Sequence, residues 1–169
     1  MPAKPSRPGL DKRAGNTPNA MLVALSKGYV VVSPGARGRT QKQGKAPAAI
    51  VDLKVAVRYL RFNDARMPGD AEKIISNGTS AGGALSVLLG ASGNSADYEP
   101  YLKALGAADA RDDIFAVSAY CPISILERAD AAYEWQFNGV NDYQKIQMTQ
   151  IDYNVERQLV KGKIGRAHV

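Results

Sequence analysis

Short apolar runs alternate along this chain with longer segments of helical spacing. The runs predict three strands, at Tyr29–Ser33, Lys73–Asn77 and Ile114–Tyr120. Apolar runs without polar alternation are typical of strands that are buried on both faces of a parallel sheet. We therefore expect these strands to belong to one buried sheet.

The segments between the runs have the features of helices. One helix is predicted from Thr17, as an N-cap followed by proline, to Lys27, and a second over Pro47–Arg61. Shorter helical stretches are predicted at Ala84–Leu89 and around Pro100–Leu105. The second helix carries an apolar stripe and, on its opposite side, a basic one: Ile50, Leu53, Val57 and Leu60 against Lys54, Arg58 and Arg61.

The resulting order is strand, helix, strand, helix, strand. Parallel strands need long crossover connections, and helices occupy the intervals here. The crossovers are expected to be right-handed, with helices on both faces of the sheet. The predicted fold class is therefore α/β, with a doubly wound and mostly parallel sheet.

Composition and charge exclude several classes of protein. The chain has 169 residues and a formal net charge of +6. Its basic loop, Pro34–Lys45, lacks interleaved aromatic residues and a Gly-Lys-Ser/Thr signature, so we interpret it as solvated and expect no nucleic-acid partner. Neither a long apolar run nor an apolar leader is present, so no membrane span and no signal peptide are expected. The single cysteine, Cys121, leaves the compartment open.

The stretch Gly78-Thr79-Ser80-Ala81-Gly82 fits the pattern G-x-S-x-G. It follows a predicted strand and precedes a predicted helix, so the turn between them is tight and holds the serine backbone in a strained conformation. We expect that a Cβ at Gly78 or Gly82 would collide across this turn. A glycine-rich helix start that only packs tightly is the alternative, but the strand-turn-helix context favours Ser80 as a nucleophile.

A serine nucleophile needs a donor for the oxyanion that forms on the attacked carbonyl. The N–H of Ala81 lies at the predicted start of a helix, where it has no intrahelical acceptor and is aligned with the helix dipole. The sequence therefore predicts that the Ala81 N–H contributes to an oxyanion hole. We expect no metal and no other cofactor.

The block Asn77-Gly-Thr-Ser-Ala-Gly-Gly83 resembles the serine-esterase branch of the α/β-hydrolase superfamily. Over about residues 17–145 the chain more narrowly resembles bacterial tannases, the esterases that cleave galloyl esters. The matching stretches are Gly28–Arg39, Ala46–Lys54, Gly90–Ser95 with Tyr98–Pro100, Asp113–Ile123 and Ala132–Gly139. The resemblance implies a partial α/β-hydrolase fold, the assigned roles of Ser80 and Ala81, and a small-molecule galloyl ester as substrate.

The resemblance also implies a domain organisation. Residues 1–123 would form the central part of the hydrolase core, and residues 124–163 would begin a cap over the cleft. Three aromatic residues of that cap would either line an acyl pocket or pack the cap onto the sheet: Tyr133, Trp135 and Phe137. Two acidic residues, Asp130 and Glu134, are expected at the surface of the cap.

Two arginines follow the first predicted strand, Arg37 and Arg39. Guanidinium groups pair readily with carboxylates. We expect these two to pair with carboxylates inside their loop, and the alternative is a direct contact with substrate.

The catalytic base and acid are not apparent. In α/β-hydrolases they follow the serine in the order acid, then histidine, and the one histidine here is His168. It has no strand before it and no acid spaced as a partner, so we reject it. Residues 164–169 resemble a translated sequencing adapter, so we expect a non-biological tail on a fragment whose acid and histidine lie in lost sequence. Nothing after residue 123 predicts another strand.

Three functions therefore remain open. The first is hydrolysis of galloyl esters through a serine nucleophile and an acyl-enzyme. The second keeps the fold but takes feruloyl esters, simple carboxylic esters or peptides. The third is a non-catalytic α/β module that binds a ligand or partner; the missing histidine favours it and the intact G-x-S-x-G turn opposes it.

Overall fold

The computed structural model describes residues 7–11, 15–38, 40–123, 146–148 and 151–153. The chain divides into two compact units, Met1–Pro122 and Ile123–Val169. The elements of the first unit are β1 (Leu10–Asp11), β2 (Thr17–Pro18), α1 (Ala20–Ser26), α2 (Ala48–Phe62), β3 (Ile75–Thr79), α3 (Ala81–Ala91), α4 (Glu99–Ala104) and β4 (Ala116–Tyr120). Single 3₁₀ turns occur at Asp64–Arg66, Ala71–Lys73 and Ala96–Tyr98.

A parallel pair of strands with a helical crossover forms the centre of this unit. β3 and β4 pair in parallel, with Ile75 opposite Ala116 and Thr79 opposite Tyr120. The connection between them contains α3 and α4, and α3 packs against both strands. This is the β-α-β arrangement predicted from the sequence, and it confirms an α/β fold.

The apolar core lies where α2 packs against α3. Ile50 and Val57 of α2 and Leu89 of α3 are buried together, and partly buried side chains surround them: Leu53, Ile74, Leu85, Leu88, Tyr98 and Ile114. The apolar stripe predicted for the second helix therefore faces the core. Among the described helices, none has the combination of length and apolar character that a bilayer span requires.

The strand predicted at Tyr29–Ser33 is wrong for this structure, since these residues form no ladder. Tyr29, Val30 and Val32 line one part of a cavity of about 300 Å³, and residues 74–77 line another part of it. A strand exists only where its backbone groups pair with a neighbour. The apolar run therefore has the residue types of a strand, but its backbone does not pair with a neighbouring strand.

The first helix begins later than predicted. Its N-cap is Asn19, whose Oδ1 accepts a hydrogen bond from the N–H of Leu22 at 3.0 Å. Thr17 and Pro18 instead form β2, which pairs with β1 in an antiparallel ladder. Asparagine caps helices at least as well as threonine. Because Thr17 and Pro18 pair with β1, the helix begins after them, with Asn19 as its N-cap.

In the second unit the structure describes an antiparallel hairpin of β5 (Ile146–Met148) and β6 (Ile151–Tyr153). The expectation that no strand follows residue 123 is therefore wrong. The remaining predictions for a cap over residues 124–163 and for a tail over residues 164–169 lie outside the described residues, as do these side chains: Arg39, Asp130, Tyr133, Glu134, Trp135, Phe137 and His168.

Candidate active site

Ser80 is the residue at which the chain passes from β3 into α3, and its backbone is strained. Its φ is 57° and its ψ is −118°, a combination that non-glycine residues rarely adopt. The Ser80 N–H donates to the carbonyl oxygen of Tyr120 at 2.9 Å, and the Ser80 carbonyl oxygen accepts from the Ala84 N–H at 2.9 Å. The strained turn predicted from the motif is confirmed.

Glycine is required at the first glycine position of the motif. A Cβ built on Gly78 would clash with the backbone carbonyl of Gly82 and lie 2.8 Å from the Ser86 Oγ. The collision predicted across the turn is therefore confirmed for Gly78. The chain can pass from strand to helix this tightly only because residue 78 has no side chain.

The same prediction is wrong for Gly82, where a Cβ would meet nothing within 4 Å in the described part of the chain. The crowded position is the next one. A Cβ on Gly83 would lie 2.7 Å from the Tyr120 carbonyl oxygen and 3.3 Å from the Pro122 Cα. In the first helical turn of α3, residue 83 faces the end of β4 and residue 82 does not. The motif alone does not reveal this difference.

The Ala81 N–H lies at the N-terminus of α3, an 11-residue helix with Ser80 as its N-cap. N–H groups in the first turn of a helix have no intrahelical acceptor, and the helix dipole gives this end a partial positive charge. Ser80 and Ala81 are both exposed, so a ligand can reach the hydroxyl and the amide. The arrangement offers a hydroxyl beside a donor suited to a developing negative charge.

In the described part of the chain, no base is hydrogen-bonded to Ser80. There the Ser80 hydroxyl makes no hydrogen bond with another side chain, and the residue after Tyr120 is an exposed, unpaired cysteine, Cys121, with a φ of 47°. The described residues also contain no cluster of side chains able to hold a metal ion. The proton acceptor that Ser80 needs is therefore to be sought elsewhere in the protein.

Arg37 is held by a carboxylate of α2, not by one inside its own loop as expected. Its Nε lies 3.0 Å from the Asp52 Oδ2, its Nη2 lies 2.7 Å from the Oδ1, and its backbone N–H donates to the Oδ2 at 2.8 Å. Burial tends to raise the pKa of Asp52, but the hydrogen bonds from Arg37 outweigh it and lower that pKa. The expectation of a partner inside the loop is therefore wrong for Arg37, whose partner is 15 residues away in the sequence.

A second group of charges, which the sequence did not predict, is buried where α2 meets the C-cap of α3 and the segment before β4. We call Lys54, Arg58 and Asp112 the buried ion cluster. The Lys54 Nζ lies 2.8 Å from the Asp112 Oδ1, the Arg58 Nε lies 2.9 Å from the Oδ2, and the side chains of Lys54 and Asp112 are 0% and 1% exposed. Arg58 also pairs with Glu99. Lys54 and Arg58 of the predicted basic stripe are therefore buried, and only 7% of the Arg61 side chain is exposed.

Hydrogen bonds complete the environment of Asp112. Its Oδ1 accepts from the Asn94 N–H at 2.8 Å, and its own N–H donates to the Asn94 Oδ1 at 2.8 Å. Burial tends to raise the pKa of Asp112, but hydrogen bonds from Lys54, Asn94 and Arg58 outweigh it, so the pKa lies below its ordinary value. The carboxylate is therefore charged and fully paired.

Comparison with solved structures finds tannases that are similar to this chain. Fusobacterium nucleatum tannase is 56% identical, with a TM-score of 0.80 over 99% of this chain and 39% of its own. The native structure of the tannin acyl hydrolase from Lactobacillus plantarum is 59% identical, with a TM-score of 0.70 over 82% of this chain and 32% of its own. A tannin acyl hydrolase in complex with ethyl gallate is 58% identical, with a TM-score of 0.70 over 82% of this chain and 32% of its own.

The chain therefore spans less than two fifths of the length of these tannases. A search of curated proteins found no match. A model of the BD-FAE family, which is of the α/β-hydrolase type, matches residues 10–158. The match covers most of the chain, including the turn at Ser80 and both strands beside it. The chain belongs to the BD-FAE family.

Proposed function

We propose that this chain carries the nucleophile of a serine esterase that hydrolyses galloyl esters. The observation that carries the proposal is the backbone of Ser80, which stays in a strained conformation between β3 and α3 and leaves its hydroxyl exposed. Strain of this kind costs on the order of 1–3 kcal/mol and is concentrated at functional sites. A binding module without catalysis has little use for it.

The chemistry follows from the position of the hydroxyl beside the start of α3. The Ser80 Oγ attacks the ester carbonyl carbon as a base takes its proton, and the Ala81 N–H donates to the oxyanion of the tetrahedral intermediate. Collapse of the intermediate breaks the bond to the alcohol, which leaves with a proton and produces an acyl-enzyme. Water then attacks the acyl group, releases the acid and restores Ser80. The base and its carboxylate partner are supplied from outside the described residues.

The choice of a galloyl ester rests on similarity. The similar solved structures include tannases, one of them in complex with ethyl gallate, at 56–59% identity to this chain. Substrate preference depends on residues that line the acyl pocket, and the geometry of Ser80 does not distinguish one acyl group from another. Feruloyl esters, simple esters and peptides are therefore the competing substrates.

The test uses the product of the complete gene that contains this sequence, and Ser80→Ala and Ser76→Ala variants of it. Ser76 lies on β3, four residues before Ser80, with its hydroxyl 3.4 Å from the Ser86 carbonyl oxygen, and so it is a matched control. We expect hydrolysis of methyl gallate with a burst of alcohol release, loss of that turnover in Ser80→Ala, and near-normal turnover in Ser76→Ala.

Each other outcome points to one alternative. Faster turnover of methyl ferulate or of a p-nitrophenyl ester than of methyl gallate would replace the galloyl assignment and keep the nucleophile. Turnover that survives Ser80→Ala would overturn the role of Ser80. No hydrolysis of any ester or peptide, with saturable binding of a ligand by a folded protein, would favour the non-catalytic module.

A further inference from the structure

The buried ion cluster lies at the end of α3 that is remote from Ser80. Besides its bond to Asp112, the Lys54 Nζ donates to the carbonyl oxygen of Ser92, the C-cap of α3, at 2.5 Å. Asp112 lies four residues before the start of β4. The cluster therefore joins α2 to the end of α3 and to the segment that leads into β4.

Charges in such a position contribute little net stability, because removing them from water offsets their attraction. They do fix the relative positions of the segments that carry them. The two carboxylate oxygens of Asp112 accept from Lys54, Arg58 and the Asn94 N–H, and all of these bonds are made only in one arrangement of the three segments. The cluster thus determines how the end of α3 is placed against the start of β4.

Three glycines lie where α3 and the residues just after it approach residues 113–120, a segment that includes β4. Gly83, Gly90 and Gly93 face successive positions of that segment: a Cβ on them would lie 2.7 Å from the Tyr120 carbonyl oxygen, 2.5 Å from the Val117 Cγ2 and 2.9 Å from the Asp113 Cα, respectively. A Cβ has no room at any of these positions, so the backbone at all three glycines lies directly against residues 113–120, and a displacement of one segment affects the other. We call these three residues the glycine row.

The far end of this contact is the turn that contains Ser80. There the Ser80 N–H donates to the Tyr120 carbonyl oxygen, next to Gly83. A shift of α3 against β4 at the cluster therefore changes the position of Ser80. We propose that Lys54 and Asp112 are positioning residues for Ser80 and act through the glycine row. The inference rests on the proposed function for its kinetic part only.

The first arm of the test compares Lys54→Met and Asp112→Asn with Leu102→Ala in the complete gene product. Leu102 is fully buried on α4, which packs against α2, so its truncation destabilises the same unit without removing a charge of the cluster. We expect the two cluster variants to lose on the order of 10- to 100-fold in kcat with KM nearly unchanged, since small misplacements of a nucleophile have effects of this size. Leu102→Ala should lower Tm and keep kcat at 25 °C.

The second arm leaves the charges intact. Gly90→Ala should lower kcat because its methyl group collides with Val117, and the double variant Gly90→Ala/Val117→Ala should restore it by removing the obstruction. A purely structural role predicts instead that Gly90→Ala lowers Tm and leaves kcat at 25 °C unchanged. If kcat follows Tm alone across all of these variants, including Leu102→Ala, the inference is wrong.

The third arm does not depend on esterase activity. Amide hydrogen exchange at Ser80 reports its bond to the Tyr120 carbonyl oxygen. We expect exchange at Ser80 to increase about tenfold or more in Lys54→Met and Asp112→Asn relative to exchange at Val57, in the middle of α2. If the protein hydrolyses no ester, the proposed function fails while this measurement still decides the inference. Unchanged relative exchange at Ser80 would overturn it.

Discussion

Lys54 and Asp112 are 58 residues apart in the sequence and form an ion pair with 2.8 Å between the Nζ and the Oδ1. Water is excluded from both side chains. The pair joins a helix that precedes the candidate nucleophile to the segment that follows it. Ser80 is therefore placed by contacts on both sides of it in the chain.

Asp112→Asn should be strongly destabilising at neutral pH. The amide leaves Lys54 and Arg58 buried without their full counter-charge, which costs about 3–5 kcal/mol in other buried pairs. Denaturant unfolding of wild type and variant measures the difference. Asp70→Asn, at an exposed pair with Lys73, is the matched control and should change stability far less.

The effect of Asp112→Asn should also depend on pH in a defined direction. The pKa of Asp112 is lower in the folded protein than in the unfolded chain. The ionised carboxylate therefore contributes fully to stability above the pKa of the unfolded chain, about 3.9, and this contribution is lost as the pH falls toward the pKa of the folded protein. The difference in unfolding free energy between wild type and variant should be constant from about pH 7 to 5 and shrink below about pH 4. A difference that grows as the pH falls would contradict the assigned charge.

Ser80→Gly should be more stable than Ser80→Ala. Glycine relieves the strain at a φ of 57°, on the order of 1–3 kcal/mol, against about 0.5–1 kcal/mol of added chain entropy. We expect the glycine variant to exceed the alanine variant by about 1 kcal/mol in unfolding free energy, with both inactive. Equal midpoints of denaturant unfolding would show that the turn is not strained.

Two glycines of the motif should respond differently to the same change. Gly78→Ala places a methyl group against the backbone of Gly82 and should destabilise the protein by more than the 1–3 kcal/mol or so of ordinary overpacking, because backbone cannot move aside. Gly82→Ala should be tolerated, because nothing described lies near its Cβ. Thermal melts of the two variants make the comparison, and similar losses in both would contradict it.

Arg37→Ala should make its loop easier to cleave. Arg37 joins the loop to α2 through Asp52, and Lys42 and Lys45 of that loop are exposed. We expect faster trypsin cleavage at these two lysines with little change in Tm, and the same result for Asp52→Asn. Arg37→Lys should not restore protection from trypsin, because lysine cannot reproduce the bidentate contact with Asp52. Asp70→Asn is the control, and an unchanged cleavage rate in Arg37→Ala would refute the anchoring role.

The sequence by itself determined the parts that depend on local chemistry. The order of strand and helix around Ser80, the strained turn and the crowding at Gly78 all follow from residues that are neighbours in the chain. Backbone conformation in such a tight turn is decided by steric contacts between adjacent residues. These features could therefore be predicted from the order of the residues alone.

Only the tertiary structure decided the parts that depend on distant partners. Lys54 and Arg58 have the spacing of a solvated stripe, and they are buried because Asp112 and Asn94 meet them from beyond α3. Likewise, Gly83 rather than Gly82 is crowded because the end of β4 lies against it. A charged side chain can be buried only where a counter-charge is brought to it, and that depends on packing between segments far apart in the sequence.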